Sequence, residues 1–201
     1  MNEATIARQS LPVRGTGRVG TAWWGMLCLI ATEAILFVYL IFSYLYLGAQ
    51  SPGSWPPDGP PALRLALPDT CILLLSSAVL EWGKRMHRRE HRRGTAWIVG
   101  LALTILLGAA FVGIQGVEWS RKSFAFSDDS YSCAYFTLTG LHLLHVVAGL
   151  IALSVVLAWS LAGRFRGQGY EQPRLAVLYW HFVDAVWLVV FAVIYLLPRI
   201  G

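Results

Sequence analysis

The sequence predicts an all-α protein, an integral membrane bundle of five transmembrane helices. Of its 201 residues, 56% are hydrophobic and only 13% are charged, a balance unlike that of soluble domains. Five apolar stretches are long enough to cross a hydrocarbon core of about 30 Å, which takes about 20 helical residues. Segments one to five are predicted over Thr21–Leu47, Ala66–Gly83, Gly94–Val117, Ser132–Leu161 and Leu175–Leu197. Their connections are short, so residues 21–201 are predicted to form one membrane domain.

The basic residues lie mostly on one side of these segments, which predicts the orientation. Cytoplasmic loops carry an excess of Lys and Arg. A cytoplasmic N-terminus and an outside C-terminus leave only four of the 16 basic residues outside, namely Arg64, Arg121, Lys122 and Arg199. The run Lys84–Arg93 is then an orientation signal beside anionic headgroups. This distribution explains the net charge of +5 without nucleic-acid binding. Residues 1–20 lack the apolar core of a signal peptide and are predicted to be a cytoplasmic tail.

Proline, glycine and polar residues give further local signals at the ends of the segments and within them. The loop Gly48–Leu65 between segments one and two is rich in Pro and Gly, which favour extended and turn conformations over helix. Pro68 suits the first turn of segment two, with Asp69 near the positive end of that helix dipole. Segment three contains several small glycines, which allow close helix packing in lipid. Residues Ser127–Ser130 (SDDS) predict the N-cap of segment four.

Ionisable residues within segments one, four and five are the candidate functional residues. At 1.5 Å per residue, Glu33 and His142 each lie about 15 Å or more from a membrane surface. The spacings predict that Glu33, His142, His145 and Asp184 share one layer, with His181 a turn away. The pairs 142/145 and 181/184 each place both members on one helix face. Because ionisable groups in lipid are costly, these five residues are expected to face a common protein interior.

Four interpretations of this polar layer are open from the residues alone. The first is a structural hydrogen-bond network that fixes helix packing. The second makes Glu33 a proton-exchanging carboxylic acid, since burial favours the neutral form. The third is bis-histidine haem ligation, in which His142 or His145 would have to recruit His181. The fourth is an iron or zinc site of two histidines and a carboxylate.

Several further residues are predicted near the two membrane surfaces. Trp55, in the first outer loop, is typical of an interfacial tryptophan. Glu81 is expected to pair with the basic loop, and Glu118, near the outer end of segment three, is expected to face water. Trp180 and Trp187, together with Tyr195, are predicted to contact lipid or the interface.

The motifs together resemble one family, subunit III of the haem–copper oxidases, as in cytochrome c oxidase. The matching strings follow the family order from about residue 20 to the end of the chain. They are Ala31–Phe37 (ATEAILF), Trp55–Pro57 (WPP), Leu67–Thr70 (LPDT), Gln115–Glu118 (QGVE), Ser127–Asp128 with Tyr131, Thr139–Gly149 (TGLHLLHVVAG) and Tyr179–Trp187 (YWHFVDAVW). The histidine-containing strings are the most specific, whereas Trp-Pro-Pro alone would carry little weight.

The resemblance implies a chain without haem, copper or another metal, these redox centres belonging to subunits I and II. It also implies packing on subunit I, phospholipid between helices, and support of proton uptake and turnover stability. Glu33 matches the family's buried, carbodiimide-reactive carboxylate, and His142, His145, His181 and Asp184 match its intramembrane polar set. The chain resembles the five-helix members, without the two additional N-terminal helices. The family often has Asn at the position of Asp69.

The expected function is therefore that of an accessory subunit of a proton-pumping terminal oxidase, which reduces oxygen to water. Its electron donor would be cytochrome c or quinol, bound by other subunits. The expected location is a bacterial-type plasma (inner) membrane. Two alternatives remain: a subunit-III-like protein accompanying a nitric oxide reductase, and a free-standing proton or ion carrier.

Overall fold

The computed structural model describes residues 20–57, 59–89, 95–164 and 171–200, with the side chains of 87–89 and 171–172 excepted. These residues form five long helices, each long and apolar enough to cross a membrane, which confirms the predicted fold class. The helices are α1 Thr21–Gln50, α2 Leu63–Arg89, α3 Thr95–Ser120, α4 Ser130–Leu161 and α5 Glu171–Phe191. The predicted tail, except Gly20, lies outside the described residues. The sidedness of the bundle stays a prediction of the charge bias.

The ends of the helices follow local sequence signals. Asp129 is the N-cap of α4, where its Oδ1 accepts a hydrogen bond from the Ser132 backbone N–H at 2.6 Å, as the sequence predicted. The chain of α5 continues into a π-helical turn, Ala192–Leu196, and a short 3₁₀ turn. The predicted position of Pro68 is wrong, because α2 begins at Leu63 and places Pro68 inside the helix.

Small residues bring α2 and α3 into close contact. A Cβ atom added to Gly83 would lie 3.1 Å from the Cα of Gly100, so the two backbones meet with no side chain between them. Close backbone approach of this kind favours helix association in lipid. The pairing of α2 with α3 is the most extensive in the described bundle. It fixes α2 in the position from which its serines meet α5.

Trp180 of α5 lies at the centre of the bundle, fully buried. Cβ atoms added at Gly108 of α3 and Gly149 of α4 would lie 2.7 and 3.0 Å from atoms of its indole. The indole N–H donates to the hydroxyl of Ser76 on α2 at 3.0 Å. One side chain therefore packs against three neighbouring helices, and glycines leave the space that it fills.

Helix α1 stands at the edge of the bundle. Its buried residues are Phe37 and Tyr44, and it packs on α4 and α5. Large apolar side chains such as Ile35, Val38 and Phe42 are exposed along the rest of its surface. In a membrane these side chains meet lipid or another subunit.

Candidate functional site

The first polar contact, which is partly buried, joins α1 to α4. The His145 Nε2 atom lies 2.9 Å from Oε2 of Glu33, and its Nδ1 lies 2.6 Å from the backbone oxygen of Leu141. A carbonyl oxygen only accepts, so Nδ1 carries a hydrogen. A single shared proton then lies between Nε2 and the carboxyl group. The pair is either a neutral acid beside a neutral imidazole or a carboxylate beside an imidazolium.

His142 lies on the same face of α4 as His145 but has different surroundings. Both rings contact Phe37, with centroid separations of 6.3 Å for His142 and 5.1 Å for His145. His142 also packs against Phe111 and Trp187. Neither of its ring nitrogens has a hydrogen-bond partner among the described residues. The same-face prediction is correct, but the prediction that His142 belongs to a polar network with Glu33 is wrong, because aromatic rings surround it.

The second polar contact joins α5 to α2. His181 Nδ1 lies 2.9 Å from the Ser77 hydroxyl, and the same hydroxyl donates to Oδ2 of Asp184. His181 Nε2 lies 3.9 Å from Oε2 of Glu81. The pair 181/184 therefore shares a face as predicted. The expectation that Asp184 faces a common interior with Glu33 is wrong, however, because its described hydrogen bond is to Ser77 of α2 rather than to α1.

Glu81 lies where α2 approaches its basic end, which we define by Lys84 and Arg85. Its carboxylate pairs with the Lys84 ammonium and accepts from Arg85 Nε at 3.0 Å. The predicted pairing with the basic loop is confirmed by these two described side chains. Contacts from the remainder of the basic run fall outside the described side chains.

Glu118 lies near the opposite end of the bundle and is only 5% exposed. Its Oε1 accepts hydrogen bonds from the Tyr195 hydroxyl at 2.5 Å and the Tyr135 hydroxyl at 3.4 Å. The Lys122 ammonium lies 3.2 Å from the same oxygen. The prediction of a water-facing acid is therefore wrong. Tyr135, which the sequence did not single out, Tyr195, which was predicted to contact lipid, and Lys122 all act on Oε1 of this buried carboxylate.

The predicted lipid contacts of Trp180 and Trp187 are also wrong. Both are fully buried, as is Tyr195, because α5 is central rather than peripheral. The Trp187 indole N–H donates to the Thr70 hydroxyl at 3.0 Å. Trp55 is partly buried against Tyr44, so its contact with the interface stays a prediction.

The geometry bears directly on the two metal hypotheses. Both ring nitrogens of His145 are engaged, and His181 faces another helix. Among the described residues, no group of three or more His, Cys, Asp or Glu side chains could hold one metal ion. In the part of the chain that the structure describes, a two-histidine, one-carboxylate site therefore does not have its ligands together.

Fold and site together define a polytopic membrane protein with separate polar contacts inside a helical bundle. The family model for cytochrome c oxidase subunit III matches residues 14–198. The chain belongs to this family, as its motifs had indicated.

Similar proteins share most of this chain. The cytochrome c oxidase subunit 3 of Oncorhynchus clarkii is 34% identical over 179 residues, which cover 86% of this chain and 68% of the relative. That of Salmo salar is 33% identical over 180 residues, with the same coverage. The Neurospora crassa subunit is 35% identical over 182 residues, covering 85% of this chain and 65% of the relative. This chain is therefore a subunit III of a terminal oxidase.

Proposed function

We propose that the chain is a cofactor-free accessory subunit that packs on subunit I, within an oxidase that also contains subunit II. The observation that carries this proposal is the position of Glu33. Its side chain is 31% exposed in the middle of α1, beside exposed apolar residues. A carboxyl group facing hydrocarbon at this depth costs several kcal/mol. A partner that covers this face of α1 removes that cost, which supports docking through α1.

The Glu33–His145 pair is proposed to support proton uptake and turnover stability in the complex. It ties the peripheral helix α1 to α4 through one proton-sharing contact. Loss of that contact loosens the helix that is proposed to face the partner. Electrons would come from cytochrome c or quinol through other subunits, and the redox centres would be theirs.

Phospholipid is proposed to fill a groove between α1 and the outer end of α4. The groove has a volume of about 480 Å³. It is lined by apolar residues including Leu40, Leu47 and Ala134, with the polar Ser130 and Asp129 at one end. An apolar channel beside polar groups suits an acyl chain attached to a headgroup.

The proposed function predicts a haem-containing complex in the plasma membrane of a bacterial-type cell. The tagged chain would be purified in mild detergent from the isolated plasma membrane, followed by a reduced-minus-oxidised visible spectrum and an oxygen-consumption assay. Larger haem-bearing polypeptides that consume oxygen are the expected result. A complex that reduces nitric oxide instead, or a colourless chain that transports ions when reconstituted alone, would overturn the proposal.

Glu33→Ala is expected to leave the initial rate of oxygen reduction within about twofold of wild type, because no redox centre is assigned to this chain. The number of turnovers before inactivation should fall about tenfold, which corresponds to about 1.4 kcal/mol in the barrier to inactivation. Thr32→Val is the matched control, because among the described residues Thr32 bonds only its own helix, through the backbone oxygen of Leu29. Complete loss of initial activity in a fully assembled Glu33→Ala complex would contradict this role.

A further inference from the structure

We propose that Glu81, His181, Ser77 and Asp184 form a proton-exchange path from the basic end of the bundle to a buried carboxyl group. The inference concerns this chain alone and does not depend on the identity of the catalytic partner. The four residues are named the α2–α5 polar file. Two of them come from each helix, so the file exists only where the two helices pack.

The two residues nearest the basic end are more exposed than the residue at the inner end of the file. The side chains of Glu81 and His181 are 29% and 38% exposed, whereas Asp184 is 5% exposed. The 3.9 Å separation of Glu81 from His181 exceeds a hydrogen bond. Both side chains are partly exposed, so a small rotation or one water molecule would be enough to span that gap. The two inner contacts are direct.

One arrangement of donors and acceptors fits both inner contacts, His181–Ser77 and Ser77–Asp184. An ionised Asp184 only accepts, so the Ser77 hydroxyl hydrogen points at it. Ser77 oxygen then accepts from Nδ1–H of His181. This pattern leaves Nε2 of His181 as the free acceptor, directed towards Glu81 and the surface.

The transfer step balances without any further reactant. A proton arriving at Nε2 makes His181 an imidazolium. Its Nδ1 proton then passes to the Ser77 oxygen while the original Ser77 proton passes to Oδ2 of Asp184. The products are a neutral imidazole with hydrogen at Nε2, an unchanged serine and a neutral carboxylic acid. The starting pattern returns when the same steps run in reverse, with the Asp184 proton leaving through Ser77 and His181 to Nε2 and the surface.

The surroundings make Asp184 the inner end of the file. Its Oδ1 is buried without a hydrogen-bond partner among the described residues. On the same helix Trp180 and Trp187 lie on either side of it, and their N–H groups are bonded to Ser76 and Thr70. The charged groups acting on His181 are Lys84 and Glu81 of α2. Asp184 therefore stores a proton that enters and leaves by the same end.

The test follows protonation of Asp184 after a rapid pH drop, using time-resolved infrared spectra of the purified native complex. The carboxyl C=O band is assigned by its loss in Asp184→Asn. In Ser77→Ala the band should appear more slowly by on the order of 10²-fold, the contribution of a positioned proton donor. Ser77→Thr, which retains the hydroxyl, should restore the wild-type rate.

Ser154→Ala is the matched control, because the exposed Ser154 bonds only the backbone of its own helix. A purely structural role for Ser77 would change the melting temperature and leave the rate unchanged. A Ser77→Ala rate equal to that of wild type overturns the proposal, as does the absence of any band that Asp184→Asn removes. Oxygen consumption is not a readout, so failure here leaves the proposed oxidase role standing.

Discussion

Trp180→Ala is expected to lower the free energy of unfolding by about 3 kcal/mol, at the low end of the range for removing a buried large aromatic side chain. We expect a value at the low end of this range because lipid is as apolar as the protein interior. The lost free energy is therefore mainly that of packing contacts. The glycines at 108 and 149 have no side chains of their own that could collapse into the space. The hydroxyl of Ser76 also loses its indole partner.

The measurement is detergent-denaturant unfolding of the purified protein, compared with Trp82→Ala. Trp82 is also on the basic half of the bundle but is 49% exposed, so the same atoms are removed without opening a cavity. Trp82→Ala is expected to change stability by less than about 0.5 kcal/mol, as for surface substitutions. Equal losses in the two variants would show that Trp180 is not the packing centre.

The difference between these two tryptophans illustrates what the sequence could predict about the fold. Long apolar runs predicted five helices and their order. They could not predict that α2 extends to Leu63–Arg89, because a helix continues among solvated charges where hydropathy gives no signal. Nor could the apolar runs predict which helices lie at the centre of the bundle and which lie at its edge. All five are apolar around most of their circumference, so only tertiary packing places α5 inside and α1 at the edge.

The candidate site was predictable along each helix but not between helices. Three-residue spacing correctly placed His181 and Asp184 on one face. The similar predicted depth of Asp184 in the membrane then led to its being grouped with Glu33. The orientation of α5 about its own axis instead directs Asp184 towards α2. The partner there is Ser77, and an isolated serine in an apolar helix carries no distinguishing signal. Glu118 was misjudged for a related reason: its compensating hydroxyls come from two other helices.

Glu118→Ala is expected to lower the free energy of unfolding by about 3–5 kcal/mol, the cost of breaking a buried ion pair from one side. The substitution leaves the Lys122 ammonium, only 14% exposed, without its carboxylate. It also removes the acceptor of the Tyr195 hydroxyl, which lies 2.5 Å from Glu118. Both donors are largely buried, so water does not replace the acceptor that they lose.

A second substitution separates this explanation from simple loss of volume. Adding Lys122→Met to Glu118→Ala removes the unpaired cation and should recover about half of the lost stability, measured by the same unfolding titration. Asp128→Ala is the matched control, since the Asp128 carboxylate is exposed and bonds a loop N–H. If the double variant were as unstable as Glu118→Ala, the buried charge would not be the cause. Recovery would instead identify Glu118 as the counter-charge that allows a lysine inside the half of the bundle opposite its basic end.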